Sequence, residues 1–175
     1  MSNEAEAYGV TIEHPTLDPA RSYYEAAVVR HLPQDQNNGN HNVYVDLFDE
    51  GGRDLREPRV YLEARNINGV KLRVYLDKPY GEPGGNFVLF RDDTYCLFAP
   101  NAQSDIVDGL HTRHPDEPPG NTLYHHSFYV QFVYHAPGAV PGGNGSGQPT
   151  LAELRKEGNK ITIIVVLADA ESGKE

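Results

Sequence analysis

With 175 residues the chain has room for one domain with a real core, and is too short for two of ordinary size. Hydrophobic residues make up 38% and charged residues 23%, which excludes a disordered chain. A formal net charge of −10 with no basic stripe argues against nucleic-acid and anionic-membrane partners.

No apolar run approaches the ~20 residues of a membrane span, so membrane insertion is not expected. The opening MSNEAEAYGV shows neither the basic nor the apolar region of a secretory signal. The chain is expected to be cytoplasmic as synthesised, with later release or virion association left open. Residues 1–19 have weak periodicity and read as an edge strand or an N-terminal arm. From there the dominant pattern is period-two alternation in short runs broken by Gly, Pro, Asn and Asp. It predicts strands at Tyr23–Leu32, Asn42–Phe48, Arg59–Asn66, Val70–Leu76, Asn86–Phe90, Thr94–Ala99, Ser104–Gly109, Tyr124–His135 and Lys160–Ala168. Turns separate them: QNNGN before Asn42, DEGGRD after Phe48, NING before Val70 and GEPGGN before Phe87. Residues 136–149 read as a flexible Gly/Pro loop. Thr150 and Glu153 form a capping-box pattern, which predicts a short helix over Leu151–Glu157 closed by Gly158. KITIIVVLA then reads as a strand buried on both faces, and 169–175 as a frayed tail. The fold expected is all-β: one antiparallel β-sandwich of eight to nine strands with one short helix near the C-terminus.

Alternation also assigns faces. Val43, Val45 and Leu47 oppose Tyr44, Asp46 and Phe48. Leu62 and Ala64 oppose Tyr61, Glu63 and Arg65. Leu72 and Val74 oppose Arg73 and Tyr75, and Phe128, Val130 and Phe132 oppose Tyr129 and Gln131. Tyr rings beside carboxylates, amides and a guanidinium suit a sugar, whose C–H face stacks on the ring while its hydroxyls bond the polar groups. The set Tyr44, Asp46, Tyr61, Glu63, Arg73, Tyr75, Tyr129 and Gln131 is therefore a candidate ligand-binding face. The competing reading is a solvated sheet face, because Tyr is favoured in strands anyway.

The run from Leu110 to His126, LHTRHPDEPPGNTLYHH, holds four of the eight histidines. Adjacent His125 and His126 point to opposite faces of a strand, and HTRHPDE matches no zinc spacing. A loop tied down by its own side chains is the simpler account. If a metal were held, His111, His114 and Asp116 would be its ligands. Catalytic patterns are lacking: there is no GxSxG elbow, no GxGxxG or GxxxxGK loop, and Cys96 lies in the apolar run TYCLF. Asp92/Asp93 and Asp116/Glu117 are carboxylate pairs too common to signify hydrolysis. No enzyme, cofactor or catalytic residue is expected.

Three strings, HLPQDQNNGNHNVYVDLFDEGGRDL, LDKPYGEPGGNFVLFRDDTYCLF and SDIVDGLHTRHPDEPPGNTLYHHSFYVQF, carry a resemblance. Together they resemble a β-sandwich accessory module, immunoglobulin- or prealbumin-like, found beside bacterial cell-wall-lytic or other glycan-acting domains. The resemblance covers about Tyr24 to Tyr134. It implies a non-catalytic module, with His41, His111, His114, Asp116, His125 and His126 holding a loop to the sheet. The expected function is recognition of a carbohydrate or cell-surface glycan. If the chain is free-standing, as a start at Met with no hydrolase in the sequence leads one to expect, a structural or assembly role, such as a phage virion surface (decoration) protein, is the alternative. A metal-binding domain built on the His111–His126 window is the third. The expected partner is accordingly a glycan or a protein surface, with homo-oligomerisation or virion assembly open.

Overall fold

The computed structural model describes residues 2–91, 93–113 and 126–138, together with the backbone of 149–157 and 160–167; Gln34 is described by its backbone alone. The chain is all-β. Its strands are β1 (Ser2–Asn3), β2 (Thr11–Glu13), β3 (Tyr23–Leu32), β4 (Asn42–Asp49), β5 (Tyr61–Asn66), β6 (Lys71–Tyr75), β7 (Gly85–Val88), β8 (Thr94–Phe98), β9 (Gln103–Ser104), β10 (Ile106–His111), β11 (Ser127–His135), β12 (Pro149–Glu157) and β13 (Lys160–Leu167). A one-turn 3-10 segment, Glu6–Tyr8, and a four-residue helix, Gln34–Asn37, are the helical pieces among the described residues.

Each of the nine expected strands has a counterpart, with ends shifted by up to three residues (β11 begins at Ser127, not Tyr124) and the Ser104–Gly109 run divided into β9 and β10. The N-terminal residues supply β1 and β2. Leu151–Glu157 is not a helix: it lies within β12, which pairs antiparallel with β13 from Glu157↔Lys160 to Pro149↔Leu167. Thr150 and Glu153 do carry capping-box chemistry. However, LAELRKE has only a few residues to propagate a costly helical nucleus, and pairing beside the β-branched run ITIIVV prevails. His114, Asp116, Glu117, Tyr124, His125, Asp92 and most of the Gly/Pro loop lie outside the described residues.

One sheet has the order β1-β3-β11-β4-β7, with β9 on β3; a second has the order β2-β10-β8-β5-β6; β12 and β13 form a third. The second sheet is antiparallel throughout. The first is mixed. β11 runs antiparallel to β3 and parallel to β4, with Tyr129 beside Tyr44 and Gln131 beside Asp46. Both sheets contribute to one apolar cluster: Val29, Val43, Val45, Phe128, Val130 and Phe132 from the first, and Leu62, Ala64, Val74, Tyr95, Leu97 and Leu110 from the second.

The two sheets differ in their other faces. β5 alternates half-buried with buried residues, and β6 is mostly exposed between its inward side chains. β4 and β11, in contrast, are buried on both faces along almost their whole lengths. Arg56 and the 78–84 segment lie over this second face, reached from β4 and β6 respectively. The passage from β6 to β7 brings the edges of the two sheets together. A Cβ on Gly85 would stand 2.5 Å from the Tyr75 carbonyl oxygen, so only glycine admits that approach.

Gly109 sits where the β10–β8 register shifts, with φ +83°. A side chain there would be strained and would also run into the Gly9 carbonyl oxygen, whereas Gly69, at φ +80°, has nothing within 4 Å. Gly69→Ala is expected to cost about 1 kcal/mol, from backbone conformation alone, and Gly109→Ala about 3 kcal/mol or more. Urea unfolding midpoints check this; equal losses would mean that the 9–10 segment yields to the added methyl group.

Candidate functional site

DEGGRD, after β4, is where the site begins. Asp49 Oδ1 accepts the amides of Gly51 and Arg53, each at 2.9 Å, and the Gly52 amide bonds the Asp49 carbonyl. This turn folds the chain back so that Asp54 bridges to Phe48 and the Leu55 amide bonds the Leu47 carbonyl. Arg56 is thereby carried to the face of β4 that holds Asp46. Its Nη2 meets Asp46 Oδ1 at 3.1 Å, its Nε meets Asp54 Oδ2 at 2.6 Å, and its Nη1 donates to the carbonyls of Pro79 at 2.7 Å and Lys78 at 3.3 Å. The second Gly-rich turn, around GEPGGN, brings the Gly84 amide to Asp46 Oδ1 at 2.6 Å. From β11, the buried Tyr129 hydroxyl donates to Asp46 Oδ2 at 3.1 Å.

These pieces enclose a pocket of about 170 Å³ lined by Asp46, Phe48, Asp54, Arg56, Tyr80, Gly81 and Glu82. Tyr80 is 76% exposed, and the Arg56 guanidinium lies 5.3 Å from its ring centre. The inner oxygen of Asp54, Oδ1, is buried without a hydrogen-bond partner, as is Nε2 of Gln131 on β11. Burial raises the Asp46 carboxyl above its ordinary value, overriding the Gly84 amide, Arg56 and the Tyr129 hydroxyl, each of which pulls it down. Burial raises Asp54 likewise, against Arg56. Tyr129 is pushed well up by burial and then by Asp46, so its phenol stays protonated and acts as a donor.

The eight residues of the expected ligand-binding face fall into two separate sets. Tyr44, Asp46, Tyr129 and Gln131 are neighbours on the first sheet and are buried; the Tyr44 hydroxyl is approached by Asn40 and Asn42 at 3.4 Å. Tyr61, Glu63, Arg73 and Tyr75 are cross-strand neighbours on the second sheet. There Arg73 lies 5.1 Å from the centre of the Tyr61 ring, and Tyr61 and Tyr75 are 5.7 Å apart. Glu63 pairs with Arg65 at 2.8 Å, which holds its carboxyl below the ordinary value. Alternation found the faces correctly, but it could not say which strands share a sheet. Asp54, Arg56, Tyr80 and Glu82 were missed because they lie in turns. Their one sequence signal is an aromatic, Tyr80, inside a charged Gly/Pro stretch, DKPYGEPGG, where burial of the ring is not expected.

Of the histidines expected to hold a loop, His111 is in β10 opposite Thr94, and His126 Nδ1 lies 2.6 Å from His31 Nε2, beneath the stacked Tyr8 ring. His41 contributes its carbonyl to the Leu89 amide. Among the described residues no group of three His, Cys, Asp or Glu side chains is placed to hold a metal. Among them, too, no helix is long and apolar enough to cross a membrane. Cys96 is half-buried, and burial raises its thiol above the ordinary value.

A second polar network lies at the far end of β11. His135 has both ring nitrogens on carboxylates, Glu25 at 2.7 Å and Glu50 at 2.8 Å, and its ring stacks on Tyr23. The Tyr23 hydroxyl donates to Asp105, which also meets His14 and the Ala26 amide.

Asp46 gives the native state a pH dependence of definite sign. A carboxyl whose folded value exceeds its unfolded one takes up a proton first in the native state, so stability rises as pH falls through that window. From neutral pH down towards 3.8, the ordinary aspartate value, the wild type is expected to gain stability relative to Asp46→Asn, which cannot titrate there. Urea midpoints at stepped pH check this, and parallel curves for the two proteins would refute it. Set beside family models, curated proteins and solved structures, the chain finds no match in any of the three.

Proposed function

We propose that this chain is a non-catalytic carbohydrate-binding module of the β-sandwich, immunoglobulin-like type. Its ligand site is the Asp54–Arg56–Tyr80 pocket rather than a sheet face. One observation carries the reading: an exposed Tyr80 ring, lining a pocket, is backed by a guanidinium that protein acceptors already hold. An exposed aromatic loses little freedom on contact and offers a plane for the C–H face of a sugar.

The same geometry favours binding over hydrolysis. A pair of carboxyl groups cleaving a glycosidic bond must each be free to move a proton or attack. Asp46 has both oxygens engaged, by Gly84 and Arg56 on one side and Tyr129 on the other. The pocket is below the ~300 Å³ at which ligand cavities usually begin, so it suits one ring of a glycan rather than several. The shared apolar cluster supports two sheets packed face to face, with the pocket on the outer side of the first.

A glycan array followed by calorimetric titration tests the assignment. Wild type is expected to bind with a dissociation constant in the millimolar to micromolar range, or about −4 to −8 kcal/mol. Tyr80→Ala is expected to weaken binding by about tenfold or more, the loss of a single stacking contact. Tyr61→Ala, on the other sheet, should leave it unchanged. Absence of binding by the wild type, or equal binding by Tyr80→Ala, would overturn the reading.

A further inference from the structure

β12 and β13 belong to neither of the two larger sheets, and among the described residues neither strand is paired on its other side. A lone two-stranded ribbon is only marginally stable in water, and its outer edges offer unpaired amides and carbonyls to any further strand. The two edges are unlike in sequence. β12, PTLAELRKE, begins at a proline and carries Glu153, Arg155, Lys156 and Glu157, and its pairing is interrupted by a register shift between Leu151 and Glu153. Proline, charge and an irregular ladder are the means by which an edge is kept from pairing further. β13, KITIIVVL, has none of these after Lys160: ITIIVVL contains no charge, proline or glycine. By alternation Ile161, Ile163, Val165 and Leu167 fall on one face and Ile164 and Val166 on the other. A strand apolar on both faces is patterned for the middle of a sheet, not for its edge.

We infer that the bare edge of β13 is the docking surface for a second copy of this chain, joined strand to strand, antiparallel, about a two-fold axis. The joined sheet has four strands, with the two β13 strands in the middle and the two β12 strands outside. Self-pairing covers both bare edges at once and needs no other component. Both outer edges are then the charged, irregular ones, so the assembly closes at two chains and does not grow into a fibre. Charge sets the direction. In a parallel pair the two Lys160 residues would be neighbours, and like charges side by side are unfavourable. In an antiparallel pair the Lys160 end of one copy meets the Leu167 end of the other, which the sequence continues with the acidic Asp169 and Glu171. The inference is independent of what the Tyr80 pocket binds.

Sedimentation equilibrium of the full chain at stepped concentrations tests it. Wild type is expected to reach twice the 19.4 kDa of one chain and to stop there. Val165→Lys, which puts a charge in the middle of β13, is expected to weaken the dimer by about tenfold or more. Ala152→Lys, on the already protected β12, should leave the dimer intact. Should Val165→Lys also melt the hairpin, spin labels report independently, on single cysteines in a Cys96→Ser background. Labels at Lys160→Cys, at the end of β13, are expected to lie roughly 20–30 Å apart between copies, and labels at Ile164→Cys, near its middle, clearly closer. A single-chain mass at every concentration would overturn the inference, as would growth beyond two chains. Loss of the dimer in Ala152→Lys, or equal label separations at the two positions, would overturn the edge assignment and the antiparallel arrangement respectively.

Discussion

A carboxylate removed from water must be met by donors, and Asp46 is the point at which this requirement organises the molecule. It is 3% exposed. Its two oxygens are answered from three places far apart in sequence: Arg56 beyond the first Gly-rich turn, Gly84 in the second, and Tyr129 on β11. If Asp46 lost its partners, the Arg56 guanidinium would lose one of its anchors and the 78–84 segment its amide tie to the sheet. The pocket is what is left between the groups gathered around Asp46. It exists because one buried charge recruited two turns and a neighbouring strand.

The two polar networks of the first sheet show why one end of it reads as a binding site and the other as structure. Around His135, the two ring nitrogens and the facing carboxylates of Glu25 and Glu50 complete one another, and the Tyr23 hydroxyl completes Asp105. That network closes on itself. Around Arg56, the guanidinium is engaged but Asp54 keeps one buried oxygen without a partner, and Asp54 lines the pocket beside the exposed Tyr80 ring. Buried charges occur in both places, so burial alone does not distinguish them. The distinction lies in whether the hydrogen-bonding account balances within the chain.

The strands were legible in the sequence because period-two alternation is a local property, written within each run of residues. Their grouping was not. Tyr44 and Tyr61 carry the same signature, yet one is sealed in the first sheet and the other lies on the second, and nothing near either residue encodes that difference. β4 and β11 were read as half-solvated since every second residue is polar or Tyr. Their second face is buried all the same, because Asp46, Tyr129 and Arg56 satisfy one another there. The helix expected over Leu151–Glu157 failed for a related reason: a local capping pattern was outweighed by a partner strand. Asp54, Arg56, Tyr80 and Glu82 sit in turns, where periodicity has no meaning and where only the unexpected aromatic of DKPYGEPGG gave a sign.

The parallel pairing of β11 with β4 also fixes the order of events during synthesis. β11 lies between β3 and β4, so the first sheet has no middle until its chain has been made. Asn42 and Ser127, bonded in the finished sheet, are 85 residues apart. At translation speeds of ~5–20 residues per second, β4 waits roughly 4–17 s for its neighbour, and no hairpin can stand in for it. Throughout that interval Val43, Val45 and Leu47 belong to a strand with one edge unmade. Such an interval is long compared with hairpin formation and collapse, which take microseconds. The nascent chain is thus a partly open sheet throughout that interval, the state in which edge-to-edge association between neighbouring chains competes with folding.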